Sequence, residues 1–136
     1  MKAEQKEFAV NTLKSFMQHM NDWENKYYDL MAQDAKKYAD HAILELKTFY
    51  SLFVKNPDKK GRIHSPYPGN PPEYDPQKEP IDRVFADGQK VIIETHQEVG
   101  FKEKFRYTME TSGESWKISR KEVFDSLKEK WIKFLL

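Results

Sequence analysis

The chain has no cysteine, which excludes disulfide staples and thiolate zinc sites and is compatible with a reducing compartment. It also lacks an excess of either charge: 23 basic and 22 acidic side chains leave +1 at neutral pH. A field able to gather phosphates or anionic lipid is missing, which argues against nucleic-acid and membrane partners. No apolar run approaches the ~18 residues of a membrane span. The opening "MKAEQKEFAVNTLKSF" interrupts its apolar residues with charges and amides, so no signal peptide is expected, and the cytoplasm is the expected location. Glycine is scarce, with 5 residues standing singly, so a phosphate-cradling loop is excluded too.

What is present is aromatic and charged. Aromatics make up 14% and charged residues 33% of 136 residues, too many rings for disorder and too much polarity for a membrane protein. That length fits one domain, residues 1–136, which buries roughly two thirds of its unfolded surface.

Phe16, Met20, Trp23, Tyr27 and Leu30 recur at alternating steps of four and three, predicting a helix from Ala3 to about Met31 with one packed side. Asp34 is placed to cap a second helix through "AKKYADHAILELKTFYSLF", burying Ala35, Ala39, Ala42, Leu46, Phe49 or Tyr50, and Phe53. Pro57 and Gly61 end it. The period then changes to alternation. Val91, Ile93 and Thr95 share one face opposite Ile92, Glu94, His96 and Glu98; Phe105, Tyr107 and Met109 lie opposite Arg106; Trp116 and Ile118 lie opposite Lys117 and Ser119. Short turns at Asp87-Gly88, Gly100 and Gly113 make these strands antiparallel neighbours, with a further strand at "PIDRVFA". Phe124, Leu127, Trp131 and Phe134 or Leu135 have helical spacing, so a short closing helix is expected, with an edge strand at "KWIKFLL" as the alternative. The result is an α+β domain: N-terminal helices packed on one face of a curved antiparallel sheet, with Asn56 to Pro80 joining two halves of one core.

With helices before a curved sheet and the hairpin "RYTMETSGESWKIS", the chain resembles the nuclear transport factor 2-like (cystatin-like), cone-shaped α+β superfamily. It is further similar to the bacterial immunity proteins of that fold in "MNDWENKYY", "KTFYSLFVKN", "PPEYDP" and "VIIETHQEVGFKEKFRYTM", which together with the "WKI" of that hairpin run from Met20 to Ile118. "DKKGR", with Arg62, stands where that group carries a basic run. The resemblance implies a protein encoded beside a polymorphic toxin that protects its cell by binding the toxin. It also allows a homodimer paired through the sheets.

Some relatives of this fold are isomerases, so a small-molecule-binding or isomerase-type enzyme using the cone pocket, with His96 or Tyr107 as acid or base, is the alternative. The residues argue against it. Catalysis needs a base near an acid or oxyanion donor in a dry cavity. His96 sits among Glu94 and Glu98 on the polar face, Tyr107 alternates with Phe105 and Met109, Tyr27 belongs to the packed stripe, and Asp22 is as well suited to water. His19, His41, His64 and His96 lack metal-ligand spacing, and no cofactor is implied.

Five prolines between Pro66 and Pro76 fix many φ angles, so this loop presents side chains at low entropic cost. Tyr67 and Tyr74 are either interface anchors or a seal over the sheet. The expected toxin-contact residues are therefore Arg62, Tyr67, Tyr74 and Asp75 in the loop, with Glu94, His96 and Arg106 on the polar sheet face.

Overall fold

A computed structural model covers residues 1–136. Helix α1 (Ala3–Phe53) is broken at Asp34, whose backbone is extended (φ −158, ψ 87), giving two antiparallel arms. The break falls where the sequence offers a cap: Asp34 Oδ1 accepts the Lys37 N–H at 3.1 Å. Trp23 Nε1 donates to the Ala42 carbonyl across the arms at 2.8 Å, a close approach that the alanine permits. The first arm buries Ala9, Leu13, Phe16, Met17, Met20, Trp23 and Tyr27; the second buries Ala42, Leu46, Phe49 and Tyr50. Ala35 is exposed and Ala39 half-buried, because the arms pack closely only below the bend, so the buried side starts later than the alanine spacing suggests.

After Val54 the chain takes two 3-10 turns, Pro57–Lys59 and Gly61–His64, and enters the sheet. Five strands follow in sequential antiparallel order: β1 (Ile81–Asp87), β2 (Lys90–His96), β3 (Lys104–Ser112), β4 (Ser115–Asp125) and β5 (Lys130–Lys133). The β3–β4 hairpin turns in two residues between Ser112 and Ser115, and its first, Gly113, has φ +64, a backbone that only glycine adopts cheaply. Val91, Ile93, Thr95, Phe105, Tyr107, Met109, Trp116 and Ile118 are buried, as alternation predicts, and the helical hairpin packs on their face.

Two departures from alternation and periodicity matter. The β3–β4 register shifts after Thr108, where Thr108 faces Arg120 but Met109 faces Ile118. The extra residue in β4 inverts the phase, so Lys121 and Val123 turn inward beside Ile118. The expected closing helix is instead a turn and strand β5, the edge-strand alternative at "KWIKFLL". Asp125 Oδ1 accepts the Leu127 and Lys128 N–H groups, Glu129 takes φ +53, and the chain reverses. Phe124 and Trp131 stack edge-on as a cross-strand pair, ring centroids 5.3 Å apart, so a spacing of seven that suits a helix here spans a hairpin.

Candidate interaction surface

The inner face of the sheet carries buried charge as well as rings. Arg62 is 5% exposed, which corrects the expectation that it meets a partner. Its Nη2 donates to Glu24 Oε1 at 3.2 Å and to the Tyr67 carbonyl at 2.8 Å, its Nε to Glu73 Oε2 at 3.3 Å, and its Nη1 to the Ser65 carbonyl. Glu24, also buried, accepts the main-chain N–H of Glu73 at 2.6 Å and of Gly69 at 3.4 Å. An ion pair beneath the loop thus fixes the loop backbone from Ser65 to Glu73. Isolated buried charges are costly, and this one is tolerated because the loop's own polar groups complete its shell.

Tyr74 is likewise no contact residue: it is 1% exposed, edge-on to Phe16 at 5.3 Å, and its hydroxyl accepts from Lys121 Nζ at 3.0 Å. Burial wins there because the ring closes the gap between helix and sheet. Lys121 reaches Glu73 Oε1 at 3.8 Å and lies over the Tyr74 and Phe105 rings, 4.2 Å from each centroid. Glu79 Oε2 accepts the Thr95 and Tyr107 hydroxyls, both at 2.9 Å. Tyr107 has no accessible surface, so no water-sized void touches it, and Met20 and Trp23 are buried in the same core.

Burial pushes the Glu24 carboxyl up, with the Glu73 charge adding to it against the pull of Arg62. Burial likewise raises Glu79, opposed by Lys121, and lowers the Lys121 ammonium. For Glu79 the sign follows directly. A carboxyl that holds its proton to higher pH folded than unfolded adds stability below its ordinary value of 4.5, and that contribution is lost as pH rises through the raised value. Glu79→Gln, which keeps an acceptor for both hydroxyls, is expected to gain stability relative to the natural chain as pH rises from 4.5. Urea unfolding of both proteins across that range measures the difference; a constant gap would overturn the assignment.

Glu94, His96 and Arg106 are brought together on the outer face of the sheet. Arg106 donates to Glu94 Oε2 through Nε at 2.9 Å and Nη2 at 2.6 Å, as opposed residues of β2 and β3. Its guanidinium lies over the Trp131 ring, 4.3 Å from the centroid. His96 Nδ1 is 2.7 Å from Asp82 Oδ1. Glu94 and His96 share an open depression with Asp82, Lys104, Phe124 and Trp131. Helical spacing gives no sign that Trp131 and Phe124 join this face; only the β4–β5 hairpin brings them to it. Tyr67 is 73% exposed, while half-buried Asp75 uses Oδ1 to accept the Gln77 N–H at 3.0 Å. The loop residues pack against Glu24 and Asn21 on the helix side, so they and the outer-face trio form two patches, not one.

A helical hairpin seated in a curled meander, its interior filled and its buried charges Glu24, Arg62, Glu79 and Lys121 each held by polar or aromatic neighbours, belongs to the cone-shaped α+β class. Within that class, the family of NTF2 fold immunity proteins matches residues 8–135, and the chain belongs to it. The immunity protein RhsIA of Dickeya dadantii (strain 3937) is 40% identical over 130 residues, covering 94% of this chain and 96% of that protein. No solved structure matches the chain. No helix is long and apolar enough to cross a membrane.

Proposed function

We propose that this immunity protein works by binding a cognate toxin protein and occluding or distorting the toxin's active site, without catalysis or a cofactor of its own. The whole chain acts as one domain in the cytoplasm, with neither nucleic acid nor membrane as partner. The observation that carries the reading is the outer-face depression lined by Glu94, His96 and Trp131, with Arg106 beside it, stacked on Trp131 and bonded to Glu94. Arginine and large aromatic side chains over a partly desolvated floor are the groups that dominate protein interfaces. RhsIA carries the name immunity protein, which supports the same role here.

Tyr67 and Asp75 form a second patch. What favours Tyr67 is its mounting: Pro66 and Pro68 flank it and Arg62 holds its carbonyl, so the exposed ring loses little freedom when a partner covers it.

Titration calorimetry with the toxin domain encoded beside the gene tests both patches. Arg106→Ala and Trp131→Ala are each expected to weaken binding about 30-fold, the size of an interface hot spot, and Tyr67→Ala about 10-fold, with folding checked by circular dichroism. Natural affinity in all three variants would discard this contact surface.

A further inference from the structure

We propose that a concavity at the β4–β5 edge receives an acidic segment of the toxin, a group of Asp or Glu carboxylates; this rests on the immunity reading above. The concavity encloses about 420 Å³ between the 3-10 turns and the sheet, and its walls include Lys59, Lys60, Arg120, Lys121 and Lys133 but no Asp or Glu. Two of these charges are engaged: Lys121 by Glu73 at 3.8 Å within the core and Arg120 by Glu122 at 3.5 Å. Lys59, Lys60 and Lys133 make no ion pair.

Lys60 is held in place by its own bond, Nζ donating to the Ser119 carbonyl at 2.7 Å. Burial, followed by repulsion from Lys133, lowers the Lys60 pKa, the mark of a positive charge short of a partner. The whole chain carries only +1, so this is a local concentration of cations and not a generally basic surface. Beside an apolar rim of Phe134, Leu135 and Leu136, the charged side chains of this wall share one sign, and a carboxylate entering it meets the unpaired ammonium groups of Lys59, Lys60 and Lys133.

Two observations select a protein carboxylate over a phosphate backbone. Ser119 and Arg120 also line a second depression that reaches Arg106 and Glu122, so a segment lying across the outer face runs on into the concavity. Along that approach Asp82, Asp87, Glu94, Glu110 and Glu122 alternate with Arg83, Lys90, Lys104, Arg106 and Arg120, so it offers no unbroken basic track to a row of phosphates, while a peptide of mixed charge that is acidic at one end fits it.

The test uses the full chain, hexaglutamate as the acidic probe, and inorganic phosphate and a short DNA oligonucleotide as comparisons, followed by amide chemical shifts. Hexaglutamate is expected to shift the Lys60, Ser119 and Lys133 amides saturably. Lys59→Gln combined with Lys133→Gln, both exposed positions, should abolish the shifts without altering thermal stability, since neither sets a like charge against Glu122 across the strands. The same double variant is expected to bind the toxin at least 10-fold more weakly, chiefly through slower association, and with a flatter salt dependence. Saturation by DNA or phosphate but not hexaglutamate overturns the inference. So does equal toxin affinity of natural chain and double variant at low and high salt, which leaves the immunity reading standing. A natural chain that binds no toxin removes the immunity reading, and this inference falls with it.

Discussion

Arg62→Ala is expected to lower the free energy of unfolding by about 3–5 kcal/mol, the usual cost of breaking a buried ion pair from one side. The substitution removes the only cation touching Glu24, which stays buried with two main-chain N–H partners and the Glu73 carboxylate close by. It also strips the Ser65 and Tyr67 carbonyls of their side-chain donor, loosening the loop that carries Tyr67. A domain of this size has roughly 5–15 kcal/mol to lose, so the melting midpoint should fall by roughly 10–20 °C. The deficit has a pH signature. Without Arg62, Glu24 rises further above its ordinary 4.5, so the variant loses stability as pH rises through that raised value and comes nearest the natural chain in acid. Removing both charges, as Arg62→Met with Glu24→Leu, should recover part of the loss: no charge is orphaned, but the Gly69 and Glu73 N–H groups lose their acceptor. Urea unfolding from pH 4.5 upward reads both effects; a loss below about 1 kcal/mol would show that the pair contributes little.

Much of this fold is legible in the sequence because two strong periods carry it. The stripe from Phe16 to Tyr27 and the alternation through Val91, Phe105 and Trp116 each fix a buried face, and Asp34 marks the bend between the helical arms. At the C-terminal end the spacing leaves helix and edge strand both open, because it cannot separate one helical face from a cross-strand pair, and Asp125 decides for the strand by bonding the N–H groups after it in a turn. Lys121 shows a different failure. Alternation continued past Ile118 assigns it to solvent, and only the bulge before it, which no residue type announces, turns it into the core.

The candidate surface divides along the same line. Glu94, His96 and Arg106 follow from strand alternation and lie on one face, since β2 and β3 pair in register. The loop gave no such handle: prolines determine that it is stiff, not which way its side chains turn. Arg62 and Tyr74 point inward because a gap between α1 and the sheet must be filled, whereas Tyr67 sits where nothing remains to cover it. The inward pair keeps a role at one remove, since Arg62 holds the backbone from which Tyr67 projects.

Phe16→Ala is expected to cost about 3–5 kcal/mol, as for other buried aromatic truncations. Phe16 has no accessible surface and lies where the first arm, the second arm and the loop converge. It meets Tyr74 at 5.3 Å, Tyr50 at 5.5 Å, Phe53 at 6.3 Å and Phe49 at 6.4 Å, all edge-on. Such contacts add about 0.5–1.5 kcal/mol each beyond the area buried, and no neighbouring ring can move in without giving up its own partners. The variant should hold an apolar void that stays dry and accepts a small hydrocarbon, so benzene is expected to raise the melting midpoint of Phe16→Ala and not that of the natural chain. Differential scanning calorimetry with and without benzene distinguishes the cases. Stabilisation of the natural chain by benzene would mean that its interior already holds a site, returning the small-molecule reading to contention. No such response leaves the outer surfaces as the part of the molecule free to meet a toxin, because a packed hairpin closes the inner one.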